Sequence, residues 1–436
     1  MPLAINTDRL LRELHHLARI TDCPPTTYTS LPEPTQAVTR IVFTPRDLEA
    51  RAWLAGIAEA AGFNTRVDAV GNTFFRWEGS QPELGVVGTG SHTDAIPHAG
   101  MYDGTVGVVG GLEAMRSLKE SGFKPKRTIE TLMFTSEEPT RFGIGCIGSR
   151  LLGGVIDPTT ADQLRDRLPE TEPDAAAGLT LAQVRAQAGF TGSLSDVKLA
   201  PDYYHAWVEL HIEQGPLLER EGIQLGIVTN IAAPASYRYT IEGFGGHAGA
   251  LLMPDRRDAL CGASEIILSV EQFTLEANAN SGGVDSVATV GMVAVHPGAV
   301  NSVPSRVQIT LDIRDTDVAR RDHTMAQLHA RIKEIETRRR LKITEETINA
   351  DVPAESDAHI VSTLEAICRA ENISYKKMVS RAYHDSSFMA RVAPIAMIFI
   401  PCRNGVSHRP DEYARPEDIA RGTQVLATAL ASLSSE

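Results

Sequence analysis

Residues 84–104 read LGVVGTGSHTDAIPHAGMYDG. Leu84 to Gly90 is short and almost wholly apolar, the pattern of a strand covered on both faces. A helix is expected from about Gly104 to Glu120, where Val108, Leu112, Met115 and Leu118 recur at near-helical spacing. Between them stand His92 and a Gly-flanked Asp103. Strand, polar loop and helix in this order begin an open α/β sheet, which builds its sites beyond the carboxyl ends of strands.

The same arrangement recurs along the chain. TIETLMFT reads as a strand and runs into Glu137 and Glu138; WVELHI carries His211; AMIFIP is soon followed by His408. Each of these residues has a bland reading when taken singly. Together, His92, Asp103, Glu138, His211 and His408 make a mixed imidazole and carboxylate set that suits Zn, Mn, Co or Ni. Five protein ligands exceed the needs of one open catalytic ion and suit a pair sharing one carboxylate. Two adjacent charges directly after an apolar strand are an odd choice for a solvated surface, which leaves Glu137 as a spare carboxylate beside the metals. Asp94 is expected to accept the second imidazole proton of His92 and fix its tautomer. His15, His16, His98, His205, His323, His329 and His359 lack such surroundings and read as surface or core residues.

Length and composition bound the remaining possibilities. A chain of 436 residues has room for two or three domains. Its net charge of -13 is spread along the sequence, which argues against a nucleic-acid partner. No apolar run approaches the roughly 20 residues needed to cross a bilayer. The start, MPLAINTDRLLRELHHLARITDCPP, is a polar amphipathic helix pattern without the apolar core of a secretory signal. Five cysteines, scattered and without CxxC spacing, read as reduced thiols, so a cytoplasmic location is expected. Cys146 and Cys402 stand near the metal segments and read as packing residues.

A second organisation occupies Ile223 to Asp351. SYRYTIEGFGG reads as a strand, DRRDALCGASEIILSVEQFTLEA as a helix, SVATVGMVAVHPG and RVQITLDIRDTD as strands, VARRDHTMAQLHARIKEIETRRR as a charged amphipathic helix, and LKITEETI as a closing strand. The order β-α-β-β-α-β is that of a ferredoxin-like module. His408 returns to a site begun by His92, so the module reads as an insertion. The expected fold is a mixed-sheet α/β metallohydrolase domain, residues 1–222 and 351–436, with a ferredoxin-like lid and dimerisation domain over 223–350. Pro216 and Pro416 each stand where a proline in the first turn of a helix would.

SHTDAIPHAGMYDG, TSEEPTRFGIGCIGSR, ELHIEQGPLLE, GFGGHAGA, PGAVNSVPSRVQITLDIRD and SRAYHDSSFMA resemble the M20-type metalloamidases that act on N-carbamoyl (ureido) compounds. The resemblance runs from roughly residue 40 to the end. That group holds allantoate amidohydrolases, N-carbamoyl-L-amino-acid hydrolases and ureidoglycolate amidohydrolases. Related peptidases and deacetylases usually place a carboxylate where His211 stands. Pro139-Thr140 after the glutamate pair, IAAPAS, SRAYHDS and MIFIPC resemble the ureidoglycolate branch known from plants, without the secretory leader of those proteins. The resemblance implies hydrolysis of ureidoglycolate to glyoxylate, ammonia and CO2 in purine (allantoin) catabolism. N-carbamoyl-L-amino acids and allantoate are the alternative substrates, and a homodimer is implied.

It also implies roles. His92, Asp103 and His211 would hold one divalent ion, and Asp103, Glu138 and His408 the other, with Mn or Zn favoured and Co or Ni possible. Two ions about 3.5–4 Å apart can lower the pKa of a shared water from about 15.7 towards 7. At 1.36 per unit that is roughly 12 kcal/mol, which favours activated water over any Ser or Cys nucleophile. Glu137 would take the proton of that water and pass it to the leaving nitrogen. His247, Asn301, Tyr383 and His384 match donors for the oxyanion, Arg314 a forked cation for the substrate carboxylate, and Gln214 a polar substrate contact. His247, Asn301 and Arg314 lie in the inserted module and the metal ligands in the main domain, so substrate would bridge the two. Two other classes compete. One is a metallopeptidase or deacylase, against which His211 and the Tyr383-His384-Asp385 segment argue. The other is a decayed binding protein, against which the intact Glu137 and ligand set argue.

Overall fold

The computed structural model describes residues 4–24, 35–168, 178–283 and 285–436. They form two compact units. One comprises Met1–Thr229, Glu355–Met378 and His384–Glu436; the other comprises Asn230–Ala354 and Val379–Tyr383.

A nine-stranded mixed sheet organises the first unit. Its centre is four parallel strands in the order Ile395–Ile400, Tyr204–Ile212, Val86–His92, Ile129–Phe134. Antiparallel strands extend it, Leu225–Ile231 on one side, and Thr73–Trp77 then Asn64–Val67 on the other. The central strands are buried along almost their whole length, which is why they read as continuous apolar runs. Being parallel, they bring His92, Phe134, Ile212 and Ile400 to one edge of the sheet.

Helix Thr105–Glu120 packs on strands Val86–His92 and Tyr204–Ile212, with helix Pro416–Ser434 beside it. Every residue from Thr105 to Leu118 is buried, Glu113 and Arg116 included. The N-terminal helix, Thr7–Arg19, buries Leu10, Leu14 and Leu17, and the Asn6 side chain caps it by accepting the Arg9 N–H. Its Arg9 pairs with buried Glu113 at 2.7 Å, fastening it to the central helix. Pro416 opens its helix, whereas Pro216 stands one residue outside helix Leu217–Glu221, as its cap.

The second unit is a four-stranded antiparallel sheet in the order Val287–His296, Arg306–Asp315, Ala233–Glu242, Lys342–Ala350. Helices Ala259–Ser281 and Val318–Arg339 cover one face, capped by Asp258 and Asp317. Tyr239, Ile241, Ile309 and Leu311 from the sheet meet Ile266, Phe273 and Leu328 from the helices. Burial alternates along Arg306–Asp315, so this sheet is one-sided where the first is buried on both faces. Among the described residues no helix is long and apolar enough to cross a membrane. None of the five cysteines is joined in a disulfide.

Candidate metal centre

Two histidines converge on one carboxylate at the shared sheet edge. His92 Nε2 lies 3.4 Å from Asp103 Oδ1, and His211 Nε2 lies 3.2 Å from the same oxygen. The far nitrogens are committed elsewhere: His92 Nδ1 stands 2.9 Å from the Asp94 carbonyl, and His211 Nδ1 2.9 Å from the Ile212 carbonyl. A carbonyl can only accept, so each Nδ1 carries a proton, which leaves each Nε2 as the ring nitrogen available to an ion beside Asp103. Gly104, beside Asp103, has φ +67°, and a Cβ there would lie 2.4 Å from His92 Nε2. The turn thus needs glycine for both its conformation and its closeness to the imidazole.

The other ligands expected from the sequence gather on the opposite oxygen. His408 Nε2 lies 3.4 Å from Asp103 Oδ2 and 3.3 Å from Glu138 Oε1. Asp103 therefore faces three imidazoles, one oxygen toward each group. Burial alone would raise its carboxyl, but the contacts with His211, His408 and His92 outweigh that and hold it well below the usual carboxylate range. Asp103 first and Glu138 second raise the His408 imidazole to about 11. Imidazole lone pairs and carboxylate oxygens aimed at common points are the donor chemistry of divalent transition ions and zinc. Among the described residues two close groups have that character, His92–Asp103–His211 and Glu209–His211–His384. In the second, Glu209 is already engaged: it accepts Ser91 Oγ at 2.7 Å on one oxygen and Ser386 Oγ at 2.5 Å on the other.

Glu137 stands beside these groups, its Oε2 3.8 Å from His92 Nε2. Burial, with added repulsion from Glu138 and Asp385, pushes its carboxyl well above the usual range. Asp94 does not act as the sequence suggested. Its carboxylate oxygen is 3.8 Å from His92 Nδ1, and the backbone carbonyl takes the proton instead. The carboxylate is drawn to the N–H groups of Glu137 at 3.3 Å and Glu138 at 3.0 Å. Ser136, Cys146, Gln214 and His408 all have φ between +53° and +59°. Each adjoins or belongs to the site, and backbone held this way costs about 1–3 kcal/mol per residue unless its surroundings enforce it.

The substrate residues expected from the sequence are placed less uniformly. Gln214 Nε2 donates to Asp103 Oδ2 at 2.6 Å, which turns its amide to the metal group. The His384 ring packs edge-on to His211, centroids 4.6 Å apart. In the second unit, His247 pairs with Ser302 in a short two-stranded ladder, which puts it beside Asn301. The Tyr383 hydroxyl donates to Asp351 at 2.6 Å. Arg314 Nε donates to Asp312 at 2.7 Å, and the side chain is 32% exposed.

Sequence reasoning gave no individual role to Glu209, Asp385 or Glu412. Glu209 links the residue before His92 to the residue after Asp385. Asp385 accepts Ser149 Oγ at 2.5 Å, and its other oxygen is buried without a hydrogen bond. Glu412 accepts the Asp103 N–H at 3.0 Å, and burial followed by the Asp103 charge raises it to about 7. A signal existed for Glu209 alone, a charge inside the apolar run WVELHI.

A profile of peptidase family M20/M25/M40 matches residues 88–432. The chain is 48% identical to the ureidoglycolate hydrolase of Oryza sativa subsp. japonica over 437 residues, covering 99% of this chain and 86% of that protein. It is 36% identical to the N-carbamoyl-L-amino acid amidohydrolase of Geobacillus stearothermophilus over 395 residues, 90% of this chain and 93% of that one. The crystal structure of AtUAH in complex with glyoxylate matches with a TM-score of 0.87 and 44% identity, covering 100% of this chain and 99% of that one.

Proposed function

The chain belongs to peptidase family M20/M25/M40, and on that premise we propose that it is a metal-dependent amidohydrolase that cleaves the ureido C–N bond of ureidoglycolate, giving glyoxylate, ammonia and CO2. The observation that carries the chemistry is Asp103, with His92 and His211 on one oxygen and His408 on the other. We read His92, Asp103 and His211 as holding one divalent ion, Mn or Zn, and Asp103, Glu138 and His408 as holding a second. Bound there, the ions supply Lewis acidity toward the ureido carbonyl and lower the pKa of the attacking water.

Glu137 takes the proton of the attacking water and delivers it to the leaving nitrogen. A buried carboxyl raised above its ordinary value is suited to hold a proton between those two steps. His247, Asn301, Tyr383 and His384 are read as donors to the oxyanion or to substrate. Arg314 is read as the fork for the substrate carboxylate, with Asp312 fixing its Nε side. Gln214 contacts substrate only if it gives up its bond to Asp103.

The second unit has the element order of a ferredoxin-like module, and we read it as a lid and dimerisation domain. Its edge strand Val287–His296 exposes Met292 and Val293, and helix Ala259–Ser281 exposes Leu268 and Leu275, apolar surface that suits a second copy of the chain. A single-chain mass by light scattering would contradict the dimer. Cysteines outside any disulfide fit a reducing, cytoplasmic setting. Chelation followed by readdition of Mn or Zn tests the metal reading: glyoxylate release should stop and return, and activity persisting in verified metal-free protein would refute it.

A further inference from the structure

Glu412 is wholly buried and touches no candidate ligand atom directly, yet it reaches two of the three loops that would carry the second ion's ligands, those of Asp103 and His408. One of its oxygens accepts the Tyr102 N–H at 2.8 Å and the Asp103 N–H at 3.0 Å. The other lies 2.9 Å from Ser407 Oγ, and Ser407 Oγ lies 2.6 Å from Asp103 Oδ2. A closed ring results: Glu412 to the Asp103 backbone, Asp103 carboxylate to Ser407, Ser407 back to Glu412. Its own N–H donates to the Arg409 carbonyl at 3.0 Å, closing the turn that follows His408.

The fit is built into the chain. A Cβ at Gly100 would lie 2.3 Å from Glu412 Cβ and 2.5 Å from its Oε1, so the Asp103 loop can lie on Glu412 only with glycine there. His408 has φ +59°, a conformation that needs its surroundings to hold it. We propose that Glu412 is a positioning residue that sets the spacing of Asp103 and His408 and thereby governs binding of the second ion. This rests on the two-ion reading above. The first ion depends less on the ring, because His92 and His211 are oriented by the Asp94 and Ile212 carbonyls.

The chemistry of the ring separates charge from geometry. Ser407 has one hydroxyl hydrogen and faces two carboxylates, so it can donate to only one of them. An amide at position 412 keeps the acceptor for the Tyr102 and Asp103 N–H groups. It would also donate to Ser407, freeing that hydroxyl for Asp103. Glu412→Gln should therefore preserve the ring, and Glu412→Ala should open it.

The test is stepwise titration of the metal-free full-length protein with Mn2+ or Zn2+ by calorimetry, with bound metal counted by elemental analysis. Wild type and Glu412→Gln should take up two ions. Glu412→Ala should lose little affinity for the first and bind the second about 10–100-fold more weakly, the usual effect of losing a ligand's supporting partner. Two ions at wild-type affinity in Glu412→Ala would overturn the proposal. So would equal loss of both ions in a folded variant, or a Glu412→Gln variant as impaired as Glu412→Ala. Wild-type protein that takes up a single ion would remove the two-ion reading itself, and the proposal with it. If Glu412→Ala does not fold, Ser407→Ala breaks the same ring at its half-buried member; unchanged second-ion affinity there would equally overturn it.

Discussion

Asp94 holds Glu138 by its backbone, a carboxylate oxygen accepting the Glu138 N–H at 3.0 Å. The same residue offers its carbonyl to His92 Nδ1 at 2.9 Å. One short segment therefore orients a proposed ligand of one ion with its main chain and a proposed ligand of the other with its side chain. The raised Asp94 carboxyl, at about 6, follows chiefly from its burial.

Replacing Asp94 with Asn tests that double role. The amide NH2 would face one of the two backbone N–H groups, donor against donor, and lose that bond. Metal affinity should fall about 10–100-fold while far-ultraviolet circular dichroism stays unchanged. Wild-type affinity in calorimetry would show that the Asp94 carboxylate does not position the ligands.

Glu137→Gln should bind metal as wild type does and lose about 10²–10⁴-fold in kcat, since an amide cannot relay a proton. Turnover within a few-fold of wild type, in protein of verified metal content, would remove Glu137 from the reaction.

The His408 imidazole gives a pH prediction. Asp103 and Glu138 hold its pKa up at about 11. Its side chain is 48% exposed, and solvent screening tempers that shift, but at pH 7 the ring is protonated on either count. An ion at Asp103, Glu138 and His408 needs the lone pair that the proton occupies. Binding must then release a proton, and affinity should rise about tenfold per pH unit between pH 7 and 8. Calorimetry in two buffers of different ionisation enthalpy reads the proton directly. Equal binding enthalpies in both would contradict it.

For Arg314→Lys, a point charge replaces a planar fork already anchored on Asp312. KM for a carboxylate substrate should rise about 10–100-fold, the worth of a charged hydrogen bond, with a smaller change in kcat. An unaltered KM would place the substrate carboxylate elsewhere.

The side chains that gather around Asp103 were legible because their signal is local. His92, Glu138, His211 and His408 each follow or belong to a strand buried on both faces, and such strands read as apolar runs a few residues long; Asp103 instead stands just before the buried helix Thr105–Glu120. The supporting residues were not legible in that way. Glu412 meets Asp103 across 309 positions of sequence, and Glu209 meets Ser91 across 118. Nothing in the spacing of either acid announces a partner that only tertiary packing supplies. Asp94 was legible as a partner of His92 but with the wrong group. Adjacency suggested the carboxylate, whereas the backbone turn presents the carbonyl and frees the carboxylate for Glu137 and Glu138. Tyr383 shows the same limit, since its hydroxyl is committed to Asp351, 32 residues away.

The central claim is that a ureido carboxylate is the substrate and that ureidoglycolate is the one preferred. The most direct measurement is kcat/KM of Mn-loaded protein on (S)-ureidoglycolate, allantoate and several N-carbamoyl-L-amino acids, with glyoxylate, amino acid and ammonia assayed separately. Glyoxylate and ammonia formed fastest from ureidoglycolate is the result this account predicts. Free amino acid from an N-carbamoyl amino acid, with no glyoxylate from ureidoglycolate, would contradict it.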